Sequence, residues 1–229
     1  MDALTNIDRR RALRAAGLLG AAFVARPGLA QLPEEEEGVS PAEDLMREHG
    51  VLNRILLVYD ESIRRLKDKR ELPSGVIAGA AGIVRRFIED YHEKLEEEHV
   101  FPRFEKAGKL TGLVSVLEAQ HRAGRRLTEA IQRRAAGKTA PDRTALAADL
   151  AQFVRMYRPH EAREDTVLFP AFHALVPSRE WEHLGEEFEE KEEQLFGKNG
   201  FEKMVDEVAG LEKRLGIHDL AQFTPRQNA

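Results

Sequence analysis

The feature that most constrains this chain is a repeated spelling. His92-Glu93-Lys94-Leu95-Glu96 and His160-Glu161-Ala162-Arg163-Glu164 both read His-Glu-x-x-Glu, and each is followed at the same distance by Phe-Pro, as Phe101-Pro102 and Phe169-Pro170. Each copy is preceded by a lone histidine on an upstream apolar-periodic stretch, His49 for the first and His121 for the second. The chain therefore reads as a doubled helical hairpin. A helix brings residues four apart onto one face, so His92 with Glu96, and His160 with Glu164, each present an imidazole and a carboxylate in one direction.

The stretches around the repeat are helical in pattern. Ser40 suits an N-cap, Pro41 the first helical position, and Glu43 and Asp44 the positive end of the helix dipole. A first helix is predicted over 41–70, with Leu45, His49, Leu52, Leu56, Ile63 and Leu66 on its buried face and Leu72-Pro73 ending it. A second is predicted over 74–105 (Ile77, Ala81, Val84, Ile88, His92, Leu95, His99) and a third over 110–136 (Leu113, Leu117, His121, Gly124, Thr128, Ile131). The fourth is predicted over 141–175 (Leu146, Leu150, Phe153, Tyr157, His160, Glu164, Leu168). No period-two strand pattern competes, and the links are short. The expected fold is all-α, an antiparallel up-down-up-down four-helix bundle over 41–176, with additional C-terminal helices in an extension over 177–229.

In such a bundle the start of the first and third helices and the end of the second and fourth lie at one end. At about 1.5 Å per residue, His49, His92, Glu96, His121, His160 and Glu164 all fall roughly 10–22 Å from that end and can converge. Glu96 and Glu164 continue apolar stripes that carry no lysine or arginine, and a buried carboxylate without a positive partner is costly. A metal cation supplies the missing charge. Four imidazoles and two carboxylates suit two metals, with each Glu able to bridge them, and the carboxylate share favours iron or manganese over copper.

The ends and the composition narrow the possibilities. Arg9, Arg10 and Arg11, then the apolar run through Phe23 and Val24, then Pro27 to Ala30, follow the charged, apolar, small-residue order of a signal peptide, with cleavage expected after Ala30. Asp8-Arg9-Arg10-Arg11-Ala12-Leu13 resembles a twin-arginine signal, although Ala12 stands where a bulky apolar residue is usual. That resemblance implies export of a folded protein to the bacterial periplasm or cell envelope, with no stable membrane anchor after cleavage. Residues 31–40, with Glu34 to Glu37, read as an acidic linker. The chain has no cysteine, which excludes disulfides and thiolate metal sites and leaves N and O ligands. A net charge of −5 excludes nucleic acid as a partner, because phosphate contact needs a basic face.

On His49, His92-x-x-x-Glu96, His121, His160-x-x-x-Glu164 and the paired Phe-Pro, residues 42–175 resemble the hemerythrin family in its HHE cation-binding form. The resemblance implies a non-haem di-iron centre with an oxygen bridge and bridging carboxylates. Two irons are the expected cofactor, with manganese or zinc as alternatives, and O2, peroxide or NO as the small oxidant bound. Oxygen-carrying members have two histidines four apart on the third helix and His-x-x-x-x-Asp on the fourth. Here Arg125 stands four after His121 and Leu117 four before it, and Asp165 sits five after His160. One imidazole is missing. Water, Glu93, Glu161 or a tyrosine is expected to take that place, and Glu164 rather than Asp165 is assigned as ligand because it repeats Glu96. His99 is read as a core or outer histidine or a reserve ligand, Tyr59, Tyr91 and Tyr157 as core or hydrogen-bonding residues near the metals, and His183 and His218 as ordinary histidines. The expected function is metal binding with reaction toward a small oxidant. Non-enzymatic iron storage, buffering or sensing, and a purely structural bundle, are the alternatives.

Overall fold

Ser40 and Pro41 open the first helix as the sequence predicts: the Ser40 hydroxyl accepts from the Glu43 N–H, and Pro41 occupies the first turn, where an N–H has no partner anyway. This helix, α1 (Pro41–Lys67), ends at Asp68 with Arg64, Arg65 and Lys67 at its negative end. The computed structural model describes residues 39–136 and 142–225, so the signal peptide expected over 1–30 and nearly all of the acidic linker lie outside the described residues. Among the described residues the chain is all-helical, without strands.

Helix α2 covers 76–107 and stops at Gly108, whose φ of 62° turns the chain left-handed. Helix α3 is Thr111–Ala135, and α4 covers 143–173 from an Asp142 cap that accepts from Thr144 and Ala145. Helix α5 (Ser178–Phe196) and helix α6 (Gly200–Leu215) follow, closed by a short 3-10 turn at Leu220–Phe223. The predicted apolar stripes form the core: Leu45, Leu52, Leu56, Val84, Ile88, Leu95, Leu117, Ile131, Leu146, Leu150, Phe153 and Leu168 are all buried, while Ile63 and Leu113 are partly so.

Cross-helix pairs place the first four helices in a closed ring. Between α1 and α4, His49 meets Asp165, Asn53 meets Glu161, Asp60 meets Arg158, and the Arg65 carbonyl meets Arg143, so numbers rise on one helix as they fall on the other. The same holds for α2 with α3 (Glu97–His121, Glu93–Arg125, Ala81–Gln132) and α3 with α4 (Gln120–His160, Arg134–Asp149). Glu48 with His92 joins α1 to α2. The extension lies on the α1–α2 flank: Phe196 packs edge-on against Phe87 and Tyr91, Arg54 pairs with Glu212 at 2.5 Å, and Arg65 donates to the Leu215 carbonyl at 2.6 Å.

The second and fourth helices differ from a uniform α-helix in phase. The N–H groups of Glu93, Phe101 and Phe169 reach back five residues, to the carbonyls of Ile88, Glu96 and Glu164, giving widened π turns over Val84–His92, Glu96–Val100 and Glu164–Leu168. Two of these turns lie just before Pro102 and Pro170. A proline has no N–H for the carbonyl four residues back and its ring crowds that carbonyl, which strains a regular turn, although α4 carries Pro159 within its regular part. A π turn relieves both faults. The fixed Phe-Pro spacing in the repeat thus accompanies the widening at Glu96–Val100 and Glu164–Leu168, whereas Val84–His92 widens with no proline after it.

Candidate metal centre

All six residues expected to meet do meet, and all are nearly inaccessible to solvent. Each imidazole turns Nε2 inward. Glu96 lies between His92 and His121, with its Oε2 3.7 and 3.4 Å from their Nε2 atoms. Glu164 lies between His160 and His49, at 3.1 and 3.4 Å. Each carboxylate therefore spans one imidazole from each hairpin. His49, His92 and Glu96 form one group able to hold a cation, and His121, His160 and Glu164 form a second.

The outward nitrogens are held by a ring that repeats along the two hairpins. Glu48, just before His49, accepts from His92 Nδ1 at 2.7 Å, and Gln120, just before His121, accepts from His160 Nδ1 at 2.9 Å. Asp165, just after Glu164, accepts from His49 Nδ1 at 2.7 Å, and Glu97, just after Glu96, accepts from His121 Nδ1 at 3.2 Å. A donor hydrogen bond from Nδ1 leaves the Nε2 lone pair facing the centre and fixes the ring. The repeated phenylalanines close the same pattern: Phe101 stacks on His121 and Phe169 on His49, with centroids 5.4 and 5.5 Å apart.

Glu93 and Glu161, considered for the missing imidazole, each have one oxygen held by an outer partner and one buried without a hydrogen-bond partner, and Glu93 also lies with Glu97 and His121 in a group able to hold a cation. Tyr157 donates to Glu93 at 2.7 Å and Arg125 pairs with it at 2.8 Å, while Asn53 donates to Glu161 at 2.5 Å. Arg125, standing where the oxygen carriers have a second histidine, pairs instead with Glu93 and Glu97. His99 faces α5, its ring 5.4 Å from Phe188, because the π turn over Glu96–Val100 breaks the seven-residue phase from His92 that would have aimed it inward. His183 and His218 are exposed. Tyr59 packs in the core against Phe153. Tyr91 donates to the Phe188 carbonyl at 3.4 Å, and the buried Asp44 and Glu192 stand beside Glu48, so α5 reaches the outer ring of the centre.

Sequence reading missed Glu48, Glu97, Gln120, Asn53 and Asp165 in its outer ring. One signal was available: Glu48-His49 and Gln120-His121 both place a hydrogen-bond acceptor before the lone histidine.

Whether these residues fit a metal is decided by unmet bonding. Both oxygens of Glu96, both oxygens of Glu164 and Nε2 of His121 are buried with no hydrogen-bond partner. Native buried polar atoms are overwhelmingly bonded, and orphaned carboxylates cost most. Cations accepting N and O ligands meet that need, so the residues fit.

Electrostatics agree. Burial lowers the His49 and His121 pKa values, but the carboxylates outweigh it. Asp165 and Glu164 raise His49 well above its ordinary value, and Glu93, Glu96 and Glu97 push His121 up to about 10. Burial takes His92 down to about 4. In metal-free protein near neutral pH, His49 and His121 thus carry protons facing Glu164 and Glu96. A metal needs these imidazoles neutral, so loading at pH 7 is expected to release roughly two protons per chain. Apparent affinity should rise with pH above the ordinary histidine value of 6.5 until those protons are gone, by up to about tenfold per unit for each proton displaced. Calorimetry in buffers of different ionisation enthalpy measures this, and loading without proton release would refute it.

Tyr157 has its place because Gly124 faces it: a Cβ on Gly124 would lie 1.9 Å from the tyrosine hydroxyl. Gly124→Ala is expected to push Tyr157 off Glu93 and cost about 1–3 kcal/mol, read as a melting temperature lower by several degrees. An unchanged melt would show that Tyr157 relocates freely.

Fold and site define a helical protein with clustered histidines and carboxylates able to hold cations. The chain belongs to the hemerythrin family: the family model for the hemerythrin HHE cation-binding domain matches residues 40–172. It is similar to "Uncharacterized protein Rv1995" of Mycobacterium tuberculosis and "Uncharacterized protein Mb2018" of Mycobacterium bovis, each 53% identical over 196 residues, covering 84% of this chain and 77% of the relative. No solved structure matches the chain.

Proposed function

We propose that this protein holds two iron ions on His49, His92, Glu96, His121, His160 and Glu164, within an up-down-up-down four-helix bundle, and that its physiological ligand is a small oxidant: O2, peroxide or NO. The observation that carries this reading is the pairing of inward Nε2 atoms and partnerless carboxylates with a complete outer ring on every Nδ1. Bound iron would supply electrons and open coordination positions for such an oxidant. The chain's own residues do the rest. Glu96 and Glu164 each reach imidazoles of both hairpins and hold the two positions together. Glu48, Asp165, Glu97 and Gln120 fix the imidazoles, and Phe101 and Phe169 screen His121 and His49 from water. Tyr157 donates a hydrogen bond to Glu93 and holds it at the edge of the centre.

Export to the periplasm or cell envelope by the twin-arginine route belongs to the same proposal and rests on Arg9, Arg10 and the apolar run after them. Among the described residues no helix is long and apolar enough to cross a membrane.

Metal content and the ultraviolet-visible spectrum of protein isolated in air, then reduced without oxygen and re-exposed, test the reading. About two irons per chain, with near-ultraviolet bands that respond to reduction and oxygen, are expected. Repeated consumption of peroxide with a reductant separates reaction from iron storage or sensing. Protein that takes up no stoichiometric metal after anaerobic iron loading would return the histidines to a structural role.

A further inference from the structure

The outer ring repeats contact by contact, and where the repeat is broken it is broken in charge. Glu48 holds His92 with a carboxylate, whereas its counterpart Gln120 holds His160 with a neutral amide. Asn53, four residues after His49, gives Glu161 a neutral donor. Its counterpart Arg125, four residues after His121, gives Glu93 and Glu97 a full positive charge at 2.8 Å each. Lys94 adds a second cation to Glu97 at 2.6 Å.

These departures act in one direction. The surroundings of His49 and His92 are the more negative, and those of His121 and His160 are offset by Arg125 and Lys94. We propose that the two metal positions are inequivalent: the His49–His92 position binds the first cation tightly, and the His121–His160 position binds the second more weakly. This rests on the two-metal reading above. A carboxylate accepting from Nδ1 makes the imidazole a stronger donor at Nε2 than an amide does, and outer partners of this kind are worth about 10–100-fold in metal affinity. A guanidinium beside the second position adds repulsion to that difference.

Single-position variants test the order without interference between the two metals. His160→Gln keeps His49, His92 and Glu96, and His92→Gln keeps His121, His160 and Glu164. Each is titrated anaerobically with ferrous ion against a competing chelator, with circular dichroism as the check on folding. His160→Gln is expected to hold its iron about 10–100-fold more tightly than His92→Gln. Adding Glu48→Gln to His160→Gln should weaken its iron by a similar factor, and adding Gln120→Glu to His92→Gln should tighten it, an outcome that damage to the fold cannot mimic. Equal affinities, the reverse order, or indifference to both outer substitutions would overturn the inequivalence while leaving a two-metal centre standing. Folded wild-type protein that binds no ferrous ion would overturn the two-metal reading and the inequivalence with it.

Discussion

Glu164→Gln protein is expected to retain at most one metal ion per chain after anaerobic loading and desalting. Glu164 is fully buried, neither of its oxygens has a hydrogen-bond partner, and its nearest polar neighbours are the Nε2 atoms of His160 and His49. It is thus the anion that lies between imidazoles of the two hairpins. Glutamine keeps the shape but removes the charge and one acceptor. At about 4 Å and an effective dielectric near 20, a unit pair is worth about 4 kcal/mol, close to a thousandfold in affinity, and a divalent ion loses more. Mutual repulsion of two cations then expels the weaker one. Glu96→Gln should behave alike, because Glu96 holds the corresponding place between His92 and His121. Metal analysis of the desalted variants is the measurement. Two ions retained at wild-type affinity would remove these carboxylates from the bridging role.

Stripping the metal from wild-type protein is expected to lower its melting temperature by roughly 8–16 °C. A ligand at a thousand times its dissociation constant stabilises the folded state by about 4 kcal/mol, and each kcal/mol moves the melt of a domain this size by about 2–4 °C. The metal-free protein keeps a partial substitute, the protons on His49 and His121. Both pKa values are raised, so this stabilisation is fully present below about 6.5 and is lost as pH rises through the folded-state value, about 10 for His121. The gap between loaded and stripped protein should therefore widen with pH. Coincident melts of loaded and stripped wild-type protein would mean that the fold carries these groups without help from a metal.

Much of the architecture was legible because helical periodicity is a local property. Ser40-Pro41, Gly108 and the stripes through Leu52, Leu117 and Leu150 needed no knowledge of neighbours, and each helix appears within a few residues of its expected span. His99 shows the limit of that logic. A seven-residue step from His92 points inward only on a uniform helix, and the π turn over Glu96–Val100 sent His99 to Phe188 instead. The prolines that accompany two of the three π turns were visible in the sequence, but as a family mark rather than as a steric demand on the carbonyl four residues back.

By itself, the sequence determined an all-helical chain built from a doubled hairpin, and the six side chains able to meet at one level. Repetition and period sufficed for that, since both copies obey the same geometry. Only the tertiary structure decided which acceptor each imidazole faces: Glu48 for His92, Gln120 for His160, Asp165 for His49 and Glu97 for His121. It also decided that Arg125 serves Glu93 and Glu97, and that α5 brings Glu192 beside Glu48. Those contacts depend on the rotation and axial register of one helix against another. Register follows from how whole faces pack, as with Phe101 against His121 and Gly124 under Tyr157, and no single helix carries that information in its own period.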